Sequence, residues 1–260
     1  MPSILVAADA GVLTITLNRP ETLNAFNPEM HKLLRQALER ALDEANVRAV
    51  LLTGAGRGFC SGQDLSERNS VDAAPIDLSV SLGSHYNPLV RRMQALPKPI
   101  VCAVNGVAAG AGANIALACD IVLAARSASF VQSFSKLGLV PDSGGTYFLP
   151  RLIGSARAMG LALLSERLGA EDAERWGLIW KAVDDDRLLD EATALARKLA
   201  SGPTRGYGLV KKALHASPGN SLDAQLDLER DLQREAGFSE DYREGVAAFL
   251  QKRTPSYTGK

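Results

Sequence analysis

Chemistry-bearing side chains are scarce in this chain. Its 260 residues hold three histidines, three cysteines and 5% aromatics. No HExxH, CxxC, Walker or Rossmann glycine pattern occurs. Metal hydrolysis, thiol exchange and phosphate-loop chemistry therefore lack their usual signatures. His31, His85 and His215 show no metal-ligand spacing, so no metal is expected. Cys60, Cys102 and Cys119 are odd in number, far apart and set among small or apolar neighbours. That pattern reads as buried free thiols in a reducing compartment. Charge of either sign is not in excess: 29 basic and 29 acidic residues give a net +0. A nucleic-acid surface is thus not the expected business of the chain, though a local basic patch for a phosphorylated ligand is allowed. The start M-P-S-I-L-V-A-A-D-A has no basic n-region, so no signal peptide is expected and the cytoplasm is the expected location. The longest greasy stretch, Ile100 to Ala125, is interrupted by Asn105, Asn114 and Asp120, which argues against a membrane span.

What is present is alternation. Ile4 to Asn18 reads as two strands split by Asp9-Ala10-Gly11, a hairpin. Asn27 and Pro28 open a helix in which Leu34, Ala37, Leu38 and Ala41 recur at helical spacing. R-A-V-L-L-T-G then reads as a strand buried on both faces. Pro99 to Val104, Ile121 to Ala124 and Ser129 to Gln132 are further strands, with a short helix over Ala113 to Cys119. Strands alternating with helices predict α/β layering with right-handed crossovers. Beyond Gly154 the pattern turns helical, in segments beginning at Ala156, Ala170, Leu188, Thr204, Ser221 and Ser239. The polar stretch Asn69 to Ser84 reads as a mobile loop beside a site.

Two glycine loops follow buried strands: G-A-G-R-G-F-C-S-G-Q-D-L from Gly54 to Leu65, and N-G-V-A-A-G-A-G-A-N from Asn105 to Asn114. Each is either a tight turn under a crossover or a place where a backbone N–H, such as that of Gln63, reaches a cleft. The third feature is K-L-G-L-V-P-D-S-G-G, Lys136 to Gly145, which carries Asp142. Asp142 is either a helix N-cap or, among Leu137, Leu139 and Val140, a carboxyl whose pKa rises to suit proton transfer. Asp64, polar within a glycine turn, is a weaker candidate acid, and Asp120, ending a helix before a strand, reads as making a structural bond to a neighbouring loop. An acid beside backbone donors suits proton transfer next to a carbonyl.

These segments, together with L-N-R-P-E-T-L-N-A-F at Leu17 to Phe26 and A-C-D-I at Ala118 to Ile121, resemble the enoyl-CoA hydratase/isomerase (crotonase) superfamily over essentially the full chain. The resemblance implies an α/β crotonase-like spiral of repeated ββα units over residues 1–200. It also implies a C-terminal helical region, 201–260, for oligomerisation and for closing a coenzyme A site. It implies an acyl-CoA substrate and a homotrimer or dimer of trimers. No cofactor is implied, since coenzyme A is part of the substrate.

By motif position the resemblance assigns the oxyanion donors to the backbone N–H groups of Gln63 and Ala111, and the acid/base role to Asp142. Contacts to coenzyme A and substrate are implied for Ala25, Ser61, Asp64, Leu65, Gly110, Asn114, Phe134, Phe249 and Lys252. The two glutamates of the hydratase pattern correspond to Asn114 and Phe134 here, which argues against simple hydration. The wording around Asp142 is most similar to the branch that rearranges 2-(1,2-epoxy-1,2-dihydrophenyl)acetyl-CoA to an oxepin in phenylacetate breakdown. The alternatives are a Δ3,Δ2-enoyl-CoA isomerase, a hydratase, or a non-catalytic protein that binds coenzyme A esters.

Overall fold

A computed structural model describes residues 1–66 and 77–260. The chain opens with β1 (Ile4–Asp9) and β2 (Val12–Leu17), an antiparallel hairpin closed by the Asp9–Val12 pair. Ala10 and Gly11 turn it at φ 47° and 78°, the two positive values that a type I′ turn needs. Helix α1 (Pro28–Asp43) begins where Asn27 accepts the Met30 N–H at 2.8 Å and Pro28 occupies the first turn. Its apolar stripe of Met30, Leu34, Ala37, Leu38 and Ala41 is buried.

Next come β3 (Ala49–Gly54) and β4 (Gly58–Cys60). Helix α2 (Leu78–Ser81) then passes through one turn of π-helix (Leu82–Tyr86) into α3 (Asn87–Ala95). Two further units follow: β5 (Ile100–Val104), β6 (Val107–Ala109) and α4 (Ala111–Leu117), then β7 (Ile121–Ala125), β8 (Ser129–Val131) and α5 (Gly145–Leu164). The chain continues through β9 (Arg167–Gly169), α6 (Ala170–Trp176), β10 (Lys181–Val183) and α7 (Leu188–Ala200). Helices α8 (Thr204–Ala216), α9 (Leu222–Gly237) and α10 (Glu240–Gln251) end it.

The units that begin at β3, β5 and β7 each send their first strand to one sheet, ordered β1-β2-β3-β5-β7-β10, and their second to another, ordered β4-β6-β8-β9. From β2 to β10 the first sheet is parallel, and β3, β5 and most of β7 are buried, as two-sided cover requires. This is the α/β spiral with a helical C-terminal region. Helix α4 lies wholly inside, and a Cβ on Gly112 would come within 2.4 Å of the Cys60 carbonyl. Only glycine lets α4 pack this close to β4. The C-terminal helices are tied back by Arg48, which donates to Thr204 Oγ1, Gly202 O and Tyr257 O. A buried Lys211–Asp120 pair at 2.7 Å adds a second tie, and Asp120 also accepts the Ile100 N–H at 2.7 Å, the structural role expected of it.

Several expectations change. Within each glycine loop lies a three-residue strand, β4 and β6, too short and too small-sided to show alternation. Of the stretch expected to be a loop, 69–76 lies outside the described residues, while Leu78 to Ser84 is helical. The helix expected from Ala156 starts at Gly145 and breaks at Gly154 (φ 76°, ψ 161°). Pro150 and the flanking glycines conceal its first half in the sequence.

Candidate active site

The two loops meet. In the first, Phe26 donates to the Gly62 carbonyl at 2.7 Å and accepts the Asp64 N–H at 3.0 Å, a parallel bridge centred on Gln63. In such pairing the flanking groups face the partner, so Gln63's own N–H faces the opposite way. Gly62, at φ 96°, lets this loop approach the second: a Cβ there would lie 3.0 Å from Ala109 O and 3.5 Å from Ala111 N. The second loop turns at Gly110 (φ 53°), and Ala111 opens α4. A first-turn amide has no acceptor inside its own helix.

A cleft of about 270 Å³ lies over these amides, and Asp142 stands on its wall. Ser61, Gln63, Leu65, Gly110, Ala111 and Phe134 line the same cleft, so seven of the sequence-derived residues converge on one space. Leu137, Leu139 and Val140 provide the apolar lining expected around the acid. Asp142 is not a side-chain cap: α5 starts after Gly144 with no capping side chain. Its carboxylate instead accepts the Ser143 hydroxyl at 2.8 Å, and its carbonyl accepts the Gly145 N–H at 2.8 Å. Among the described lining residues it is the one carboxylate.

The remaining residues lie elsewhere. Ala25 is buried behind the first loop, where its carbonyl accepts Arg19 Nη1 at 2.6 Å. Asp64 pairs with Arg19 at 2.8 Å and accepts the Ser66 hydroxyl at 2.6 Å. The Ser66 hydrogen bond and then the Arg19 guanidinium hold its carboxyl below the usual range, and it braces the loop rather than facing the cleft. Asn114 is buried beneath Asp142, to whose carbonyl it donates at 2.8 Å. Phe249, 83% exposed, lines a separate groove with Gly206 and Tyr257. Lys252 follows the end of α10 in a left-handed conformation (φ 53°), so it does not continue the helical face of Phe249.

Sequence reasoning missed the wall formed by Leu78, Leu82 and Tyr86. Tyr86 donates its hydroxyl to Gln63 Oε1 at 2.8 Å, while Gln63 Nε2 donates to Phe26 O at 3.2 Å. Nothing in the local pattern marks this tyrosine, because its partner is 23 residues away. Cys60 is excluded as a nucleophile: burial pushes its thiol up to about 12, against a smaller opposite pull from the Gly62 N–H. A larger cavity, about 920 Å³, opens between α3, α5 and α8 and gathers none of the sequence-derived site residues.

The family model described as Enoyl-CoA hydratase/isomerase matches residues 7–260. The chain is 60% identical over 261 residues to the 1,2-epoxyphenylacetyl-CoA isomerase of Escherichia coli K12, covering 100% of both. It is 52% identical to a Rhodobacter capsulatus protein named "probable enoyl-CoA hydratase", covering 96% of this chain and 95% of that one. Among solved structures, an enoyl-CoA hydratase from Polaromonas sp. JS666 superposes with a TM-score of 0.92 at 35% identity, covering 98% of this chain and 99% of the other.

Proposed function

The chain belongs to the enoyl-CoA hydratase/isomerase family, and from that premise we propose that it is an acyl-CoA isomerase that rearranges epoxidised phenylacetyl-CoA to the oxepin thioester. The observation that carries this reading is the cleft itself, where one carboxylate, Asp142, faces a space bordered by Gln63 and Ala111. The 60% full-length identity to a 1,2-epoxyphenylacetyl-CoA isomerase supports the choice of substrate.

A thioester makes its α-proton removable because the charge moves onto oxygen. Two backbone N–H groups meet that oxygen, and losing one such donor costs about 3 kcal/mol, or 10²–10³ in rate. For a 3-enoyl thioester, the Asp142 carboxylate takes the proton from C2 while the electron pair moves to oxygen. The pair then returns through C2=C3, and the proton is delivered to C4. For the ring epoxide, the same polarised thioester assists opening to the seven-membered ring, with Asp142 handling the proton. Hydration calls for groups that orient and deprotonate water, and Asn114 and Phe134 supply neither carboxylate.

Turnover of epoxidised phenylacetyl-CoA well above that of 3-hexenoyl-CoA is the expected result. The reverse ranking assigns the protein to simple double-bond isomerisation, which the same acid and amides would serve. Rapid hydration of crotonyl-CoA overturns the isomerase reading, and binding without turnover of any enoyl-CoA makes it a non-catalytic binder. The region 201–260 is proposed to carry the contacts of a trimer or dimer of trimers and to close the coenzyme A site with Phe249 and Lys252. Exposed Leu222, Phe238, Tyr242, Phe249 and Leu250 on and between α9 and α10 support this, and mass measurement in solution tests it.

A further inference from the structure

We infer that Gln132 and Asn114 are positioning residues, a two-amide clamp that holds the main chain of Asp142 so that its carboxylate stays aimed into the cleft. The inference rests on the reading of Asp142 as the acid/base. Asn114 is fully buried in α4, and its Nδ2 donates to the Asp142 carbonyl at 2.8 Å. Gln132, 3% exposed just after β8, donates its Nε2 to Asn114 Oδ1 at 2.8 Å. The direction of both bonds follows from one fact: a carbonyl can only accept. Asp142 O therefore requires the NH₂ end of Asn114, which leaves Asn114 Oδ1 facing back and in need of a donor. Gln132 supplies that donor, and its own Oε1 is left buried without a partner.

That orphan oxygen is informative. Burying an acceptor unpaired is unfavourable, and a methionine would fill similar volume without it. The backbone beyond the acid points the same way. Ser143 and Gly144 are both left-handed, at φ 51° and 85°, and a non-glycine residue is disfavoured there. The turn is thus held in place rather than intrinsically preferred. Gly145 completes the device, because a Cβ on it would sit 2.3 Å from Asn114 Nδ2, within the space the clamp uses. Ser165 anchors the far end, donating to the Gln132 carbonyl at 2.5 Å.

The test uses the intact protein and a 3-enoyl-CoA. Q132M removes the donor and the orphan acceptor together. It exchanges the orphan Gln132 Oε1 for an orphaned Asn114 Oδ1, so it is expected to stay folded with a Tm a few degrees below the parent's and to keep KM within about twofold, while kcat per folded protein falls roughly tenfold or more. The key readout is Q132E, an isosteric change. Protonated, Glu donates to Asn114 Oδ1 as glutamine does; ionised, it draws the Asn114 NH₂ group away from Asp142. The ratio of Q132E to parent kcat should therefore rise as pH falls, and taking the ratio cancels titration common to both enzymes. A flat ratio overturns the clamp, as does a Q132M enzyme that keeps full kcat or loses activity only in proportion to folded protein. D142N separates the two ideas. Near-normal turnover in D142N removes the acid/base reading itself. An inactive D142N beside unaffected Q132M and Q132E removes the clamp alone.

Discussion

Falling pH should cost this protein stability at one buried residue, His31. Its ring is 4% exposed in α1, packed 4.7 Å from the Phe26 ring, 4.4 Å from Tyr86 and 5.1 Å from His85, centroid to centroid. Neither ring nitrogen has a hydrogen-bond partner. Burial first, then the charges of His85 and Arg35, lower its pKa from 6.5 to about 3. The unfolded chain binds the proton near pH 6.5 and the folded chain not until about pH 3. Stability is therefore undiminished by His31 above pH 6.5 and is lost progressively as pH falls from 6.5 towards 3. At pH 5 the lost share is RT ln(1 + 10^1.5), about 2 kcal/mol, and it depends little on the exact folded value while that value stays below 4. H31F fills the same site without a titratable group. The stability gap between H31F and the parent should widen by about 2 kcal/mol in favour of the variant between pH 8 and pH 5, a Tm difference of about 4–8 °C for a chain of this size. Thermal scans of both proteins at equal concentration across that range measure it, and the comparison cancels acid effects on every other group. A gap that stays constant with pH would refute the reasoning, since it would mean that the folded state protonates His31 as readily as the unfolded chain.

Three further outcomes are expected. D142N should keep the fold and acyl-CoA binding, being nearly isosteric, and lose at least about 10² in isomerisation rate, measured by steady-state kinetics. A111P deletes an N–H at the cleft and should reduce kcat by about 10²–10³, whereas Q63A, which keeps its backbone N–H, should be mild; full activity in a folded A111P contradicts the donor assignment. K252A should raise KM for acyl-CoA by roughly tenfold or less, more at low salt than at high, with little change in kcat; KM values equal to the parent at every salt concentration assign Lys252 to solvated surface.

The sequence by itself determined the elements with strong local signals. Continuous apolar runs marked β3, β5 and β7, and Asn27 with Pro28 marked the start of α1, because burial and capping leave their trace within a few neighbouring residues. It also marked Asp142 and both glycine loops, since an acid among apolar residues and small residues at turns are local patterns. Tertiary structure alone decided which of these meet and what each side chain does. Asn114, a ligand contact by family resemblance alone, bonds to Asp142 28 residues on, and Asp64 is taken by Arg19, 45 residues before it. Tyr86 gained its place beside Gln63 from a helix that the sequence shows as a loop. β4 and β6 exist only because strands from successive units hydrogen-bond to one another. The physical reason is the same in each case: local sequence sets dihedral preferences and burial, while hydrogen-bond partners distant along the chain are chosen only when the spiral closes and brings them within reach.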